Sequence, residues 1–267
     1  MASDGIIRIQ DNDKYDFDPS KLCFREPKVM SSGAKLVMLA YGEGKTSNQV
    51  VIETPTLRAP MGKSEWENPT GPSKHSIMLS LDDMDSRKDV AAFQQLLEAI
   101  DNLAMTAGFE NSMGWFRKVY KNSETVKDMY QPLERKSRDK ETGEFDGRWP
   151  PSVKVTLPYG PDGKPKFTTY NSAQEEIDIS TIDSRNANVT AIVVLQSIWM
   201  AGNMFGISLK AVQLLVEPKR TMAACAFRNL MSRPQAQDAA AGKKALAQEP
   251  ELLESSDDEE LVPNCDV

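Results

Sequence analysis

Val189-Thr190-Ala191-Ile192-Val193-Val194-Leu195-Gln196-Ser197-Ile198-Trp199-Met200, then Ala201-Gly202-Asn203, then Phe205-Gly206-Ile207-Ser208-Leu209-Lys210-Ala211-Val212-Gln213-Leu214-Leu215-Val216, closed by Glu217-Pro218, is the stretch from which the fold is read. Both arms are rich in β-branched residues, and a glycine-containing turn joins them, so the segment predicts one long β-hairpin. Working back towards the N-terminus, Val153, Val155 and Leu157 alternate with Ser152, Lys154 and Thr156, the period-two pattern of a half-buried strand. Pro158 to Pro165, with Gly160-Pro161-Asp162-Gly163 inside it, reads as a turn, and Lys166 to Tyr170 as the returning strand of a second hairpin. Nearer the start, Ala34 to Tyr41 and Gln49 to Thr54 are two more strands, and Gly42-Glu43-Gly44-Lys45 reads as the turn of a third hairpin. Ser76 to Leu81 is a further strand beyond a Pro/Gly-punctuated loop from Pro55 to Pro72.

One helix interrupts this β pattern. Asp85 or Ser86 reads as its N-cap, Val90, Phe93, Leu96, Leu97, Ile100, Leu103 and Ala104 recur at steps of three and four, and Gly108 reads as its end. Ser112 to Tyr120 and Ser123 to Tyr130 read as shorter helices, with Pro132 as a stop, and the charged residues 133 to 149 as a mobile loop. The expected organisation is an irregular N-terminal arm over 1–33, a domain over 34–218 with a helical insertion at 85–131, an amphipathic helix (220–231) and linker within 219–248, and an acidic disordered tail over 249–267. The fold class expected is mainly β with a helical insertion (α+β). Strands, helix and hairpins in that order fit an OB-like five-stranded Greek-key barrel with its helix between strands 3 and 4 better than an α/β sheet.

Chemistry is narrowed by what the chain lacks. No apolar run exceeds six residues, and the N-terminus Met-Ala-Ser-Asp-Gly lacks the basic and apolar regions of a signal peptide, which predicts a soluble, intracellular protein without membrane association. Cys23, Cys225 and Cys265 share no short spacing and His75 is the sole histidine, too few parts for a zinc site or a nucleophilic triad. Gly44-Lys45-Thr46 and Gly62-Lys63-Ser64 end like a phosphate loop, but Leu39 and Leu57 stand where its first glycine belongs. Asp82/Asp83 and Glu175/Glu176 fit capping and solvation. No enzyme activity, metal or cofactor is expected.

Charge is unevenly placed. The net charge is -7, yet residues 249–267 carry eight acids and no Lys or Arg, which leaves a body of net +1. Between Trp115 and Lys166 stand 12 Lys/Arg against 8 Asp/Glu. Aromatic and basic residues interleave there: Trp115, Phe116, Arg117, Lys118, Tyr120 and Lys121, then Tyr130, then Arg135, Lys136, Arg138 and Lys140, then Arg148 and Trp149. Single-strand binding needs this mixture, since cations track phosphates while rings stack on any base. The same residues also fit a helix face buried in the core followed by a solvated loop. If 152–157 pairs with 166–170, Lys154, Thr156, Lys166, Thr168 and Tyr170 share one polar, cationic face, which reads equally as an oligonucleotide groove or as ordinary solvated sheet. Trp199 and Phe205 read as core. Asp257, Asp258, Glu259 and Glu260 anchor the acidic tail, which reads either as a solubiliser or as a competitor of phosphates for the basic groove that becomes free to recruit partners.

Arg148-Trp149-Pro150-Pro151-Ser152-Val153-Lys154-Val155-Thr156-Leu157-Pro158, with Ser197-Ile198-Trp199 and Phe205 to Gln213, resembles the OB-fold single-stranded-DNA-binding proteins of nucleocytoplasmic large DNA viruses, of the phycodnavirus and asfarvirus type. These are similar in turn to the single-strand binder of a short-tailed coliphage. The resemblance covers roughly residues 34–218. It implies a replication, recombination or repair accessory that coats exposed strands, with Arg148, Trp149, Lys154 and Lys166 in the groove and residues 249–267 meeting replication proteins. The phage-type tail ends in an aromatic, whereas this one ends Asn264-Cys265-Asp266-Val267.

The expected partner is single-stranded DNA, with RNA and self-association left open, at a viral replication site in the host cytoplasm or nucleus or packaged in the virion. The alternative is a viral structural or scaffolding protein that uses the same barrel for protein contacts.

Overall fold

The computed structural model describes residues 5–30, 35–42, 48–67 and 72–218, so the expected helix over 220–231 and the acidic tail lie outside the described residues. The strands up to the main helix are β1 (Ile6–Ile7), β2 (Leu22–Phe24), β3 (Lys28–Val29), β4 (Lys35–Tyr41), β5 (Val50–Glu53), β6 (Leu57–Ala59), β7 (Lys63–Trp66) and β8 (Lys74–Ser80). Helices α1 (Lys88–Glu110), α2 (Ser112–Phe116) and α3 (Ser123–Met129) follow. The chain then returns to strands β9 (Tyr130–Gln131), β10 (Glu134–Arg135), β11 (Ser152–Leu157), β12 (Thr168–Tyr170), β13 (Glu176–Ile177), β14 (Ala187–Ala201) and β15 (Met204–Glu217).

The hairpin β14–β15 organises the rest. It turns at Gly202, whose φ of 58° needs no Cβ, and its register shifts between Ile192 and Val193 and between Leu195 and Ile198. Such irregularities bend a strand, which a pair this long needs in order to wrap a core. Along the free edge of β14 lie β4, β5 and β6, end to end: Val37 faces Ile198, Ile52 faces Val193, and Leu57 faces Val189. The expected hairpin of 34–41 with 49–54 is therefore not formed. Tyr41 and Asn48 exchange backbone hydrogen bonds at the neck of an excursion, after which the chain resumes its original direction. Only Gly42 of that turn falls among the described residues.

The same device recurs across the sheet. β11 and β12 both run parallel to β15, Val155 facing Leu209 and Thr169 facing Leu214. Residues 158–167 form an excursion closed at Tyr159 and Pro165, so the expected hairpin of 152–157 with 166–170 is also absent. Pairings β14–β6, β6–β8, β8–β11, β11–β15 and β15–β14 close on themselves in a ring of five. Because β4 to β6 act as one interrupted strand of this ring, α1 falls between its second and third members, not between a third and a fourth as expected.

Local readings shift for local reasons. The expected loop 55–72 contains β6 and β7, and 133–149 holds β10 and a hairpin bridged at Arg138 and Phe145. The expected irregular arm pairs through β1 with β5 and through β2 and β3 with β4. The N-cap of α1 is Arg87, since Asp83 to Arg87 are taken up in a preceding turn. Gly108 lies inside α1, where a Cβ would stand 3.0 Å from Phe205 Cζ. That contact is the reason for the glycine. Val90, Phe93, Leu96, Leu97, Ile100 and Ala104 join the inward residues of the ring, Ile77, Leu79, Val153, Val155, Leu209 and Ala211 among them, in one continuous core. Each large apolar side chain so buried contributes about 2 kcal/mol.

Candidate nucleic-acid interface

The pleat of β8 and β11 separates two kinds of residue. Register places Leu79 against Val153 and Ile77 against Val155, inward, and Met78 against Lys154 and Ser76 against Thr156, outward. On the flanks, β7 brings Trp66 opposite Lys74, and β10 brings Arg135 opposite Ser152. One outward face thus carries Trp66, Lys74, Lys154 and Arg135. Trp66 is 57% exposed with the Lys74 ammonium 5.5 Å from its ring centre. Burial holds the Lys154 ammonium below its ordinary pKa, and the like charges of Arg135 and Lys74 push the same way. These cations repel one another until an anion arrives.

The 134–149 hairpin extends the set. Phe145, 61% exposed, has the Arg138 guanidinium 4.3 Å from its ring centre and the Lys136 ammonium 5.9 Å away; Arg148 lies 5.8 Å from Trp149, itself 66% exposed. Lys140 is exposed on the turn of this hairpin. A cation on an exposed ring is the pairing that strand binding uses, one group for the phosphate and one for the base.

Other expected site residues fall elsewhere. Trp115 is 3% exposed and packs edge-on against Phe24, Phe116 and Phe205, so it belongs to the core and is no stacking platform. Phe116 is half-buried, packed on the core against Phe205 at 5.1 Å, and its remaining surface lines the same cleft as Arg117 and Tyr120. Arg117, Lys118 and Lys121 are exposed around half-buried Tyr120, with Lys118 5.2 Å from its ring. Arg117 and Tyr120 line a cleft of about 340 Å³ with Lys35 and the β14–β15 turn, a second cationic region built by the helices. Lys166 is exposed in the excursion and Tyr170 lies on β12, where it lines a groove with Glu53, Gln174, Ile192 and Leu215 and no Lys or Arg. Since β11 and β12 do not pair, the even-numbered face expected to join Lys154, Lys166 and Tyr170 does not exist. Trp199 is half-buried and Phe205 fully buried.

Sequence reasoning missed Trp66, Lys74 and Phe145. The signal for Lys74 was present: Lys74, Ser76, Met78 and Ser80 alternate with His75, Ile77, Leu79 and Leu81, and starting the strand at Lys74 puts that lysine in phase with Met78. Trp66 sits in the same phase on β7.

No family model matches the chain, and no curated protein sequence matches it. The structural neighbours are single-stranded-DNA-binding proteins of bacteriophages. The gp2.5 protein encoded by bacteriophage T7 aligns at a TM-score of 0.41 and 9% identity, covering 73% of this chain and 100% of its own. The single-stranded DNA-binding protein of bacteriophage Enc34, in complex with ssDNA, aligns at 0.41 and 13%, covering 74% of this chain and 97% of its own.

Behind the hairpin, Asp101 of α1 holds β9 and the turn after it. Its carboxylate accepts from the Tyr130 hydroxyl at 2.6 Å and from the Leu133 amide at 3.1 Å. Burial raises the Asp101 carboxyl to about 7, Glu134 and Glu98 adding to a rise that the two hydrogen bonds oppose. Burial likewise pushes the Tyr130 hydroxyl well up. Among the described residues no three His, Cys, Asp or Glu converge as a metal-binding set, and no helix is long and apolar enough to cross a membrane.

Proposed function

We propose that this protein binds single-stranded DNA, without enzymatic activity, on the outward face of β8 and β11 and the flanking β7, β10 and 134–149 hairpin. The observation that carries the reading is the Trp66, Lys74, Lys154, Arg135 face: a solvent-exposed ring and, on one continuous ladder, Lys154 under the like charges of Arg135 and Lys74. The closed five-strand ring is read as an OB-type barrel, whose second and third strands, here β8 and β11, offer such a face to oligonucleotides. Recognition through stacking and phosphates is largely independent of sequence.

The setting we infer is coating of exposed strands during replication, recombination or repair of viral DNA, inside the host cell. The acidic residues 249–267, Asp257 to Glu260 at their centre, are inferred to compete with DNA for this face and to meet replication proteins once displaced. Deleting 249–267 then tightens oligonucleotide binding, and unchanged or weaker binding refutes the competition.

Oligothymidine titration followed by tryptophan fluorescence tests the reading. Quenching is expected from Trp66 and Trp149, so Trp66→Phe with Trp149→Phe abolishes it while Trp115→Phe leaves it intact. No quenching and no change in anisotropy at low salt would remove the proposal.

A further inference from the structure

We propose that the cleft between α1, α3 and the 134–149 hairpin receives an unstacked base of the bound strand, and that its exposed carboxylates favour bases bearing an exocyclic amino group. This deepens the single-strand reading and rests on it. The cleft is open, with a volume of about 1120 Å³. A ligand pocket spans roughly 300–1,000 Å³, so there is room for a nucleotide. Arg135, Lys136 and Arg138 line it. Arg135 also belongs to the cationic β8–β11 face, so a backbone following that face reaches the cleft without a break. Phe145 lines the same opening with most of its ring in solvent and Arg138 beside it, a ready platform for one base.

Carboxylates line the cleft too: Glu98, Asp101, Asp128 and Glu134, beside Lys127 and the amides of Asn102 and Gln131. The carboxylates repel phosphate and attract hydrogen-bond donors, so the strand keeps its backbone on Arg135, Lys136 and Arg138 and turns a base towards the acids. Carboxylates accept from the amino group of cytosine, and thymine offers carbonyl oxygens in its place. Asp101 is already committed to Tyr130 and Leu133. Glu98 and Asp128 are exposed and are the groups left to read the base.

An independent observation points the same way. The Glu134 side chain is 6% exposed, yet its Oε1 has no hydrogen-bond partner; Gln94 Nε2 donates to the other oxygen at 3.3 Å, and Lys136 Nζ stands 3.9 Å from Oε1. Buried acceptors are almost always filled, and the ion pair with Lys136 is too long to be a hydrogen bond, so this oxygen can still accept one from a base.

The experiment measures fluorescence anisotropy of the full chain with oligocytidine and oligothymidine of about 20 nucleotides at one salt concentration, two pyrimidines long enough to cover the roughly 4–16 nucleotides that such folds occupy. Oligocytidine is expected to bind at least about fivefold more tightly. Glu98→Ala with Asp128→Ala, both exposed positions, should tighten both oligomers by removing negative charge while bringing their ratio to one. Phe145→Ala should weaken both by about fivefold or more. Equal wild-type affinities, a ratio that survives the double substitution, or no effect of Phe145→Ala would each overturn the cleft assignment and leave single-strand binding standing. Absence of binding to either oligomer would overturn the reading beneath it. Excess deoxycytidine monophosphate should leave the complex intact; full displacement would make the cleft a free-nucleotide pocket and refute its place on the strand.

Discussion

Replacing Lys74, Lys154 and Arg135 together by alanine tests whether the β8–β11 face carries the phosphates. The three charges sit close enough that Arg135 and Lys74 both perturb Lys154, so a bound backbone neutralises them as a group. Each phosphate contact on a single strand contributes about -0.7 to the slope of log affinity against log salt, so the triple variant should lose about 2 from that slope. The same dependence predicts roughly a hundredfold loss of affinity near 0.1 M salt, fading towards none near 1 M. Anisotropy titrations of labelled oligothymidine over a salt series read both quantities. The matched control is Arg117→Ala, Lys118→Ala and Lys121→Ala, which removes as many charges from the helical region. A control that lowers the slope as much as the face variant, or a face variant with an unchanged slope, would refute the assignment of the path to β8 and β11.

Other predictions concern the scaffold. Gly62→Ala should destabilise the fold by about 1–3 kcal/mol in urea unfolding. Gly62 has φ of 63° and a Cβ there would stand 2.8 Å from the Arg185 backbone nitrogen. Because Lys63 N donates to Ser184 Oγ at 2.8 Å beside it, the same variant should displace β7 and weaken oligonucleotide binding through Trp66. Asp101→Asn reports on the buried carboxyl. A folded-state pKa near 7 against an ordinary 3.8 means the folded chain holds the proton more tightly, so this group lowers stability as pH rises from about 4 to 7. The melting temperature of Asp101→Asn should therefore exceed that of the wild type above pH 7 and the difference should shrink towards pH 4; a pH-independent difference would contradict it.

How much was legible varies by element, for physical reasons. The 187–217 hairpin could be read because both arms are long, apolar and joined by a tight glycine turn, so no other partner competes for them. Residues 34–54 and 152–170 look the same in sequence, two alternating runs around a Gly- or Pro-rich turn, yet in each the chain leaves and rejoins the same neighbouring strand. A turn signal says where pairing stops; it does not say which edge takes up the next segment. Trp115 shows the same limit on a helix: its neighbours Arg117, Lys118 and Lys121 made a stacking role attractive, and burial against Phe205 decided otherwise. Lys154 was found because its own strand alternates cleanly, whereas Trp66 was hidden by a loop reading of residues 55–72 and Lys74 by a strand reading that starts at Ser76.

Sequence alone settled which residues point in and which point out along 152–157, that a long helix follows the strand ending near Leu81, and that acid and base are segregated along the chain. These follow from backbone geometry and composition, which each segment carries by itself. Only the tertiary structure decided that two apparent hairpins are interruptions of longer strands, and that Trp66, Lys74, Lys154 and Arg135 meet on one face. Strand pairing is a competition among distant segments for the same row of hydrogen bonds, and no segment holds the information about which competitor wins.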